Sequence, residues 1–149
     1  MRSLPLSKTV IALLAAAAVA APALAGDCPA GKSAANALSG APTAPKGVTD
    51  TVIGSVDLGL EINVADRQLR TRRLVVQPGG IVPLHSHVDR PALIYTVSGT
   101  IVEYRSSCAV PIVHKAGDIA READGISHYW INTGKVPTVL LSSDVHHGN

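Results

Sequence analysis

Two histidines separated by one residue, His85 and His87, are the residues in this sequence best placed to do chemistry, and His128 follows later in the chain. Alternate side chains of a β-strand point to the same face, so His85 and His87 would project together. Imidazole is the commonest protein ligand for transition metals. A third imidazole from a later strand could meet the first two inside a barrel. We therefore predict a pocket in which His85, His87 and His128 bind one divalent metal.

The elements that must position these histidines are short β-strands. After Gly47, β-rich runs alternate with turn residues, and no run of ten or more residues has helical periodicity. This pattern favours an all-β sandwich or barrel. The predicted strands include residues 69–76, ending at the turn 77–80, together with 92–97, 100–105, 128–131 and 136–142. The strands 92–97 and 100–105 are predicted to pair as a hairpin across Ser98 and Gly99.

The histidines also lie within two longer spacing patterns. The first contains Gly79, His85, His87 and Gly99, and the second contains Gly117, Gly125, His128 and Asn132. Over roughly residues 79–132 the sequence therefore resembles the cupin superfamily, in particular the small single-domain cupins with one conserved barrel. The resemblance implies a double-stranded β-helix, or jelly-roll barrel, with a metal site formed by the three histidines.

Two residues depart from the cupin motifs. Ala123 stands where the second motif has proline, and Ala92 stands where the first motif has its glutamate ligand. Asp89 and Glu103 are the nearest carboxylates, and neither is a good substitute on spacing alone. The sequence leaves open whether the loss of this glutamate abolishes catalysis.

A site formed by three neutral imidazoles would leave a divalent ion with its full charge and with open coordination positions. Such an ion acts as a Lewis acid or lowers the pKa of bound water. Iron, manganese, zinc, nickel and copper all accept this ligand set. The resemblance implies a metal-dependent enzyme acting on a small molecule, such as an oxygenase or isomerase. The alternative is a non-catalytic periplasmic protein that binds a metal or a small ligand.

Two further residues are candidates for contacting a small-molecule ligand. Arg90 follows the histidine pair at the predicted mouth of the barrel and could bind a carboxylate or phosphate. A solvent-exposed ion pair with Asp89 is nevertheless the preferred interpretation of Arg90. Trp130 shares a strand face with His128 and is expected to line the same cavity.

Other polar residues are assigned to the surface. Arg70 and Arg72 share a strand face, which could form an anion site, although a solvated face is the preferred interpretation. His114 precedes a lysine in a predicted turn and is expected at the surface. No Ser-His-Asp order, phosphate loop or pair of carboxylates suggests another chemistry.

The N-terminal residues 1–25 have the features of a cleavable signal peptide. Arg2 and Lys8 precede an apolar run, Val10 to Ala21, and the segment ends with an A-x-A cleavage site at Ala25. The run is too short for a comfortable membrane span. We expect export to the periplasm or secretion, cleavage after Ala25 and no membrane anchor afterwards. Residues 26–47 are expected to form an irregular arm, and residues 48–145 the barrel domain.

The mature chain would have 149 − 25 = 124 residues, enough for one domain. It would carry 13 − 2 = 11 basic and 11 acidic residues, so nothing in its charge suggests a nucleic-acid partner. Cys28 and Cys108 both remain, and in an exported protein they favour one disulfide over two free thiols. The cupin resemblance adds an expectation of a homodimer.

Overall fold

The structure is a computed structural model that describes residues 26–148, so the predicted signal peptide lies outside the described residues. These residues form eight strands and one short helix. In chain order they are β1 (Lys46–Asp57), α1 (Leu58–Ile62), β2 (Arg67–Ser86), β3 (Ala92–Ser98), β4 (Thr100–Arg105), β5 (Ile112–Lys115), β6 (Ile119–Glu122), β7 (Ser127–Ile131) and β8 (Thr138–His147). No helix within 26–148 has the length and hydropathy needed to cross a membrane.

All strand pairs are antiparallel, and β2 belongs to both layers of the barrel. The N-terminal part of β2 pairs with β1 and β8, and β3 then connects β8 to β6. We call these strands the β8 layer. The C-terminal part of β2 pairs with β7, which is followed by β4 and β5 in the β7 layer. The prediction of an all-β jelly-roll barrel is therefore confirmed.

The predicted hairpin between β3 and β4 is wrong. Strand β3 pairs with β6 and β8, whereas β4 pairs with β5 and β7, so the two strands belong to opposite layers. The chain crosses between the layers at Gly99, which has a φ of 82°. A Cβ atom there would lie 2.9 Å from the carbonyl oxygen of Pro137, so the crossing depends on glycine.

Strand β2 does not end at the predicted turn 77–80. It bends there and continues to Ser86, because Gly79 takes a φ of 69° and Gly80 lies against the backbone of Gln77. The bend moves the strand from the β8 layer to the β7 layer. His85 therefore lies beside β7, which carries the third histidine.

A compact apolar core joins the two layers. Its buried residues are Leu74, Val76, Ile94, Ile101, Ala120, Trp130 and Leu140. Full burial of each large apolar side chain contributes about 1.5–3 kcal/mol. The other inward-facing positions include many polar residues, among them His128, Glu103, His114, Glu122 and Asp144. Buried charged groups need partners to be tolerated, and those partners define the site described below.

The N-terminal arm is tied to the turn after β4. Cys28 and Cys108 form the disulfide expected from the sequence, with their Cα atoms 5.7 Å apart. Backbone hydrogen bonds from Ala34 to Ser107 and from Asn36 to Ser106 hold the arm along the same turn. In the chain-entropy model, a crosslink between residues 80 positions apart contributes roughly 4 kcal/mol to stability.

Candidate metal centre

The rings of His85, His87 and His128 converge at one point inside the barrel. His85 near the end of β2 lies directly opposite His128 on β7, and His87 follows one residue after β2 ends. The Nε2 atom of His128 lies 3.0 Å from those of both His85 and His87, which are themselves 3.2 Å apart. His87 and His128 are buried. The triad is thus positioned to bind a metal ion.

Backbone carbonyl groups fix the orientation of two of the rings. His85 Nδ1 lies 2.8 Å from the carbonyl oxygen of Pro83, and His87 Nδ1 lies 2.8 Å from that of Arg90. A carbonyl oxygen only accepts, so each Nδ1 carries the hydrogen and donates it. In the neutral rings the Nε2 atoms consequently present lone pairs to the common point.

The same two rings remain neutral at physiological pH. Burial, and to a smaller extent the charge of His128, lower the pKa of His85 to about 3 and that of His87 to about 4. A neutral imidazole is the form that coordinates a metal. Neither His85 nor His87 therefore has to lose a proton before it can act as a ligand near pH 7.

The third histidine is held by carboxylates. His128 Nδ1 lies 2.8 Å from Glu103 Oε1 and 3.2 Å from Glu122 Oε2. Burial opposes the charged ring, but the hydrogen bonds to Glu103 and Glu122 outweigh it and raise the pKa of His128. A carboxylate behind a metal-binding histidine fixes its tautomer and increases its basicity.

Glu103 and Glu122 belong to a buried group that we call the inner carboxylate cluster, formed with Arg105 and His114. Arg105 donates from Nε and Nη2 to Glu103, at 2.7 and 2.8 Å, and from Nη2 to Glu122 at 3.2 Å. His114 Nε2 lies 2.9 Å from Glu103. Burial alone would raise the pKa of the Glu103 carboxyl, but bonds from His114, His128 and Arg105 hold it well below its usual range.

The inner carboxylate cluster was not predicted from the sequence, and the prediction that His114 lies at the surface is wrong. His114 is fully buried and packs on Trp130, with ring centroids 4.5 Å apart, because its side chain faces inward from β5. Alternation along β4 contains the relevant information. Ile101, Glu103 and Arg105 share the inward face, so an apolar residue there predicts that the two charged residues are buried as well.

Ala92, at the position of the missing motif glutamate, is buried and pairs with Glu122 on the neighbouring strand. A carboxylate is therefore present beside this position, but it lies near Nδ1 of His128 rather than the common point of the Nε2 atoms.

Asp89 is exposed and pairs with Arg67 at 2.7 Å. It is not paired with Arg90, so the proposed surface pair of Asp89 and Arg90 is wrong.

Arg90 instead belongs to a second charged group, the arginine cluster, formed by Arg70, Arg72, Arg90 and Asp144. Arg70 donates from Nε and Nη2 to the two oxygens of buried Asp144, at 3.0 and 2.8 Å. Arg72 Nη2 and Arg90 Nη1 each lie 3.7 Å from Asp144 Oδ2. Burial would raise the pKa of Asp144, but the bond and charges of the arginines lower it. The interpretation of Arg70 and Arg72 as a solvated face is therefore wrong.

Two histidines of the triad and two arginines of the arginine cluster border one cavity of about 220 Å³. Its wall contains His85, His87, Arg72, Arg90, Asp50 and Ser142 together with Leu74, Val82, Pro83, Ile94, Trp130 and Leu140. Trp130 lies in this wall, as its shared face with His128 predicts. Its indole Nε1 is 3.0 Å from His128 Nδ1. Because an indole only donates, that contact competes with the bond in which Nδ1 donates to Glu103.

Comparison with protein families identifies the barrel. The family model described as a cupin domain matches residues 72–144, which include all three histidines and both charged clusters except Arg70. Residues 72–144 are a cupin domain.

Curated relatives match over part of their length. Auxin-binding protein ABP19b of Prunus persica is 34% identical over 74 residues, covering 48% of this chain and 35% of that protein. Germin-like protein 1 of Brassica napus is 29% identical over 76 residues, covering 49% and 37%. The match thus spans little more than a third of the length of these relatives.

Solved structures with the same fold include a predicted oxalate decarboxylase from Thermotoga maritima. Its TM-score is 0.55 at 21% identity, covering 72% of this chain and 94% of that one. An oxalate oxidase in complex with the substrate analogue glycolate has a TM-score of 0.53 at 20% identity, covering 74% and 55%. These likenesses show the cupin fold and do not by themselves assign an activity.

One residue of the second cupin motif has a structural role here. The Asn132 side chain donates from Nδ2 to the carbonyl oxygens of Val76 and Val136, at 2.9 and 2.8 Å, and its Oδ1 accepts from Gly134. These bonds hold the connection from β7 to β8 against the bend of β2. Asn132 therefore keeps the strands of His85 and His128 in position without contacting the triad.

The donor set of this cupin domain fits a divalent transition metal. Two nitrogen atoms bonded to one ion at about 2.1 Å and at right angles are about 3.0 Å apart. The observed Nε2 separations of 3.0–3.2 Å agree with three ligands on one side of an ion. Nitrogen lone pairs brought this close repel one another unless a cation or proton lies among them. The residues thus form an arrangement that could hold a metal ion, with neutral donors at His85 and His87 and a third imidazole, His128, held by carboxylates.

Proposed function

We propose that this protein binds one divalent metal through His85, His87 and His128 and is an exported, metal-dependent enzyme acting on a small molecule. The observation that carries the proposal is the meeting of three Nε2 atoms, each on a ring whose Nδ1 has its own partner. Such rings are oriented before the ion arrives. The adjoining cavity gives a small ligand access to the same point.

The metal would supply Lewis-acid or redox chemistry at the open end of the triad. The chain's own residues have separate tasks. His85 and His87 provide neutral donors from rings fixed by backbone carbonyls. Glu103 and Glu122 hold the proton on His128 Nδ1 and keep Nε2 directed at the site. The apolar wall around Trp130 limits water. Oxygenase and isomerase reactions are the classes that these features support.

Metal content tests the first half of the proposal. Purified wild-type protein should contain close to one equivalent of a transition metal by elemental analysis, and the His85→Ala/His87→Ala variant should contain almost none. His147→Ala is the matched control, because His147 is an exposed histidine outside the triad. Equal and negligible metal in wild type and double variant would contradict the proposal.

The alternative function is a non-catalytic binding protein for a metal or small ligand. Ala92 favours it, because the site lacks the carboxylate ligand of the cupin motif. Oxygen-uptake and isomerase assays with the metal-loaded protein distinguish the two. Turnover that disappears in the His85→Ala/His87→Ala variant supports the enzyme, whereas tight ligand binding without turnover across a broad panel supports the binding protein.

Export rests on the sequence of residues 1–25 and is supported by the disulfide between Cys28 and Cys108, since disulfides persist in oxidising compartments. Fractionation of expressing cells should find the mature chain, beginning at Gly26, outside the cytoplasm. A chain that retains residues 1–25 in the cytoplasm would contradict export without affecting the metal site.

A further inference from the structure

The arginine cluster carries more positive charge than its carboxylates neutralise. Three guanidinium groups, of Arg70, Arg72 and Arg90, surround the single buried carboxylate of Asp144. Asp50 adds one more carboxylate, which pairs with Arg72 at 2.6 Å and is 38% exposed. Three cations against two anions leave one positive charge at the wall of the cavity.

The unused hydrogen-bonding capacity lies on the two arginines that line the cavity. Asp144 is already bound at both oxygens by Arg70. Within residues 26–148, the ion-pair contact of Arg90 is the 3.7 Å approach to Asp144, which is too long for a hydrogen bond. Arg72 has a buried Nε without a hydrogen-bond partner in the described chain. A buried polar group normally has a partner, so Arg72 Nε is suited to an incoming acceptor, and the partly exposed guanidinium of Arg90 can bind the same acceptor from the cavity wall.

The histidine part of the cavity wall also favours an anion. His85 and His87 are neutral donors, and Ala92 contributes no charge where the cupin motif has a glutamate. A divalent ion held by the triad would add positive charge near this part of the wall. Most of the remaining wall is apolar and contains Leu74, Val82, Ile94, Trp130 and Leu140. The cavity therefore combines positive groups with an apolar surface.

We propose that Arg72 and Arg90 form the anion-binding subsite of this cavity and that its ligand is a small carboxylate with a short apolar body. The proposal rests on the proposed function in that the carboxylate would be the ligand presented to the metal site. A planar guanidinium matches a carboxylate through two parallel hydrogen bonds. The apolar wall selects against inorganic phosphate, which would leave that wall in contact with a hydrated ion.

The size of the cavity limits the ligand. At about 220 Å³ it is smaller than pockets for drug-sized molecules, which have roughly 300–1,000 Å³. Butanoate is a suitable probe because it has one carboxylate and a short alkyl chain. Butanamide has nearly the same shape without the charge, and inorganic phosphate has the charge without the apolar body.

Isothermal titration calorimetry with these three probes tests the proposal on the wild-type protein, in metal-free and metal-loaded forms. We expect butanoate to bind and butanamide and phosphate to bind at least about tenfold more weakly. Arg90→Gln should weaken butanoate binding about tenfold to a hundredfold, since a hydrogen bond to a charged group is lost. Arg90→Lys should restore part of the affinity. Arg121→Gln, a matched change in an exposed ion pair, should leave the affinity within twofold of wild type.

Four results would contradict the anion-binding subsite. Equal binding of butanamide, equal binding of phosphate, unchanged affinity in Arg90→Gln or no binding of butanoate would each overturn the proposal. The Arg72→Gln variant is titrated with butanoate as well, and thermal unfolding checks that each variant is folded. If one of the two variants does not fold, the other still allows butanoate affinity to be compared with wild type.

A failure of the proposed metal site would give a different set of results from a failure of the anion-binding subsite. If the triad holds no metal, elemental analysis shows it, but butanoate should still bind the metal-free protein in an Arg90-dependent way. Conversely, Arg90→Gln should retain the wild-type metal content, because the backbone carbonyl that orients His87 is unchanged. If the protein binds metal but its affinity for butanoate does not depend on Arg90 or Arg72, the anion-binding subsite is wrong. The proposed metal site is then unaffected.

Discussion

Two charged clusters lie near the histidine triad, and they differ in sign and accessibility. The inner carboxylate cluster has two carboxylates, Glu103 and Glu122, against one guanidinium, and its acidic side chains are fully buried. The arginine cluster has three guanidiniums against buried Asp144, and its arginine side chains are 17–26% exposed. One cluster is negative and closed, whereas the other is positive and borders the cavity.

This difference assigns separate tasks to the two sides of the site. A closed cluster bonded to His128 Nδ1 cannot exchange partners with a ligand, so its effect is to orient the ring and offset the charge of a bound cation. An open cluster with spare donors can change partners when an anion enters. The cupin motif glutamate would have placed a negative charge at position 92. Here that charge lies behind His128, and the cavity side stays positive.

The largest expected effect comes from removing the charge of Asp144. Asp144→Asn leaves three arginines close together, and we expect a loss of about 2–3 kcal/mol in the free energy of unfolding at pH 7. The arginines are partly exposed, which limits the cost. Since the folded protein lowers the pKa of Asp144, its contribution is present above about pH 3.9, the ordinary value, and is lost as pH falls through the lower folded pKa.

Urea unfolding of metal-free protein at several pH values checks this prediction. Wild type should lose stability below about pH 4 more steeply than Asp144→Asn. Asp124→Asn is the control, because Asp124 forms an exposed pair with Arg121 and should cost under about 1 kcal/mol. Equal stability of Asp144→Asn and Asp124→Asn would show that the arginine cluster is not a buried ion network.

The inner carboxylate cluster should act on metal affinity. Glu103→Gln keeps the shape of the side chain but removes the charge behind His128, and we expect metal affinity to fall about 10- to 100-fold. Competition with a chromophoric chelator measures it. Glu61→Gln makes the same chemical change on the exposed helix α1 and should have no effect. If both variants bound metal like wild type, the cluster would have no influence on the site.

The histidine triad could be predicted because its residues are close in sequence or in register. His85 and His87 share a strand face, and the spacing of the two motifs places His128 on a facing strand. The clusters could not be predicted in this way. Asp144 meets Arg70 and Arg72 through pairing of β8 with β2, a contact between residues far apart in the chain. The spacing of residues within one segment of sequence does not show which residues of two distant strands will lie opposite each other.

The error at His114 has the same physical origin. A histidine next to a lysine before a turn is usually exposed, but β5 pairs with β4 in a register that sets His114 opposite Ile101 and directs it inward. Its polar Nε2 is then stabilised by Glu103 rather than by water. Local composition described the turn correctly and could not determine which face of the short strand is buried.

The smallest expected effect concerns Asp50, which competes for Arg72 at the edge of the cavity. Asp50→Asn removes an exposed carboxylate 2.6 Å from Arg72 Nη1, so stability should change by less than about 1 kcal/mol. Butanoate should nevertheless bind about twofold to fivefold more tightly, because Arg72 loses its competing partner and the cavity gains positive charge. Calorimetry beside the Asp124→Asn control measures the change. Weaker or unchanged butanoate binding in Asp50→Asn would mean that Arg72 is not available to a ligand, and the anion-binding role would then fall to Arg90 alone.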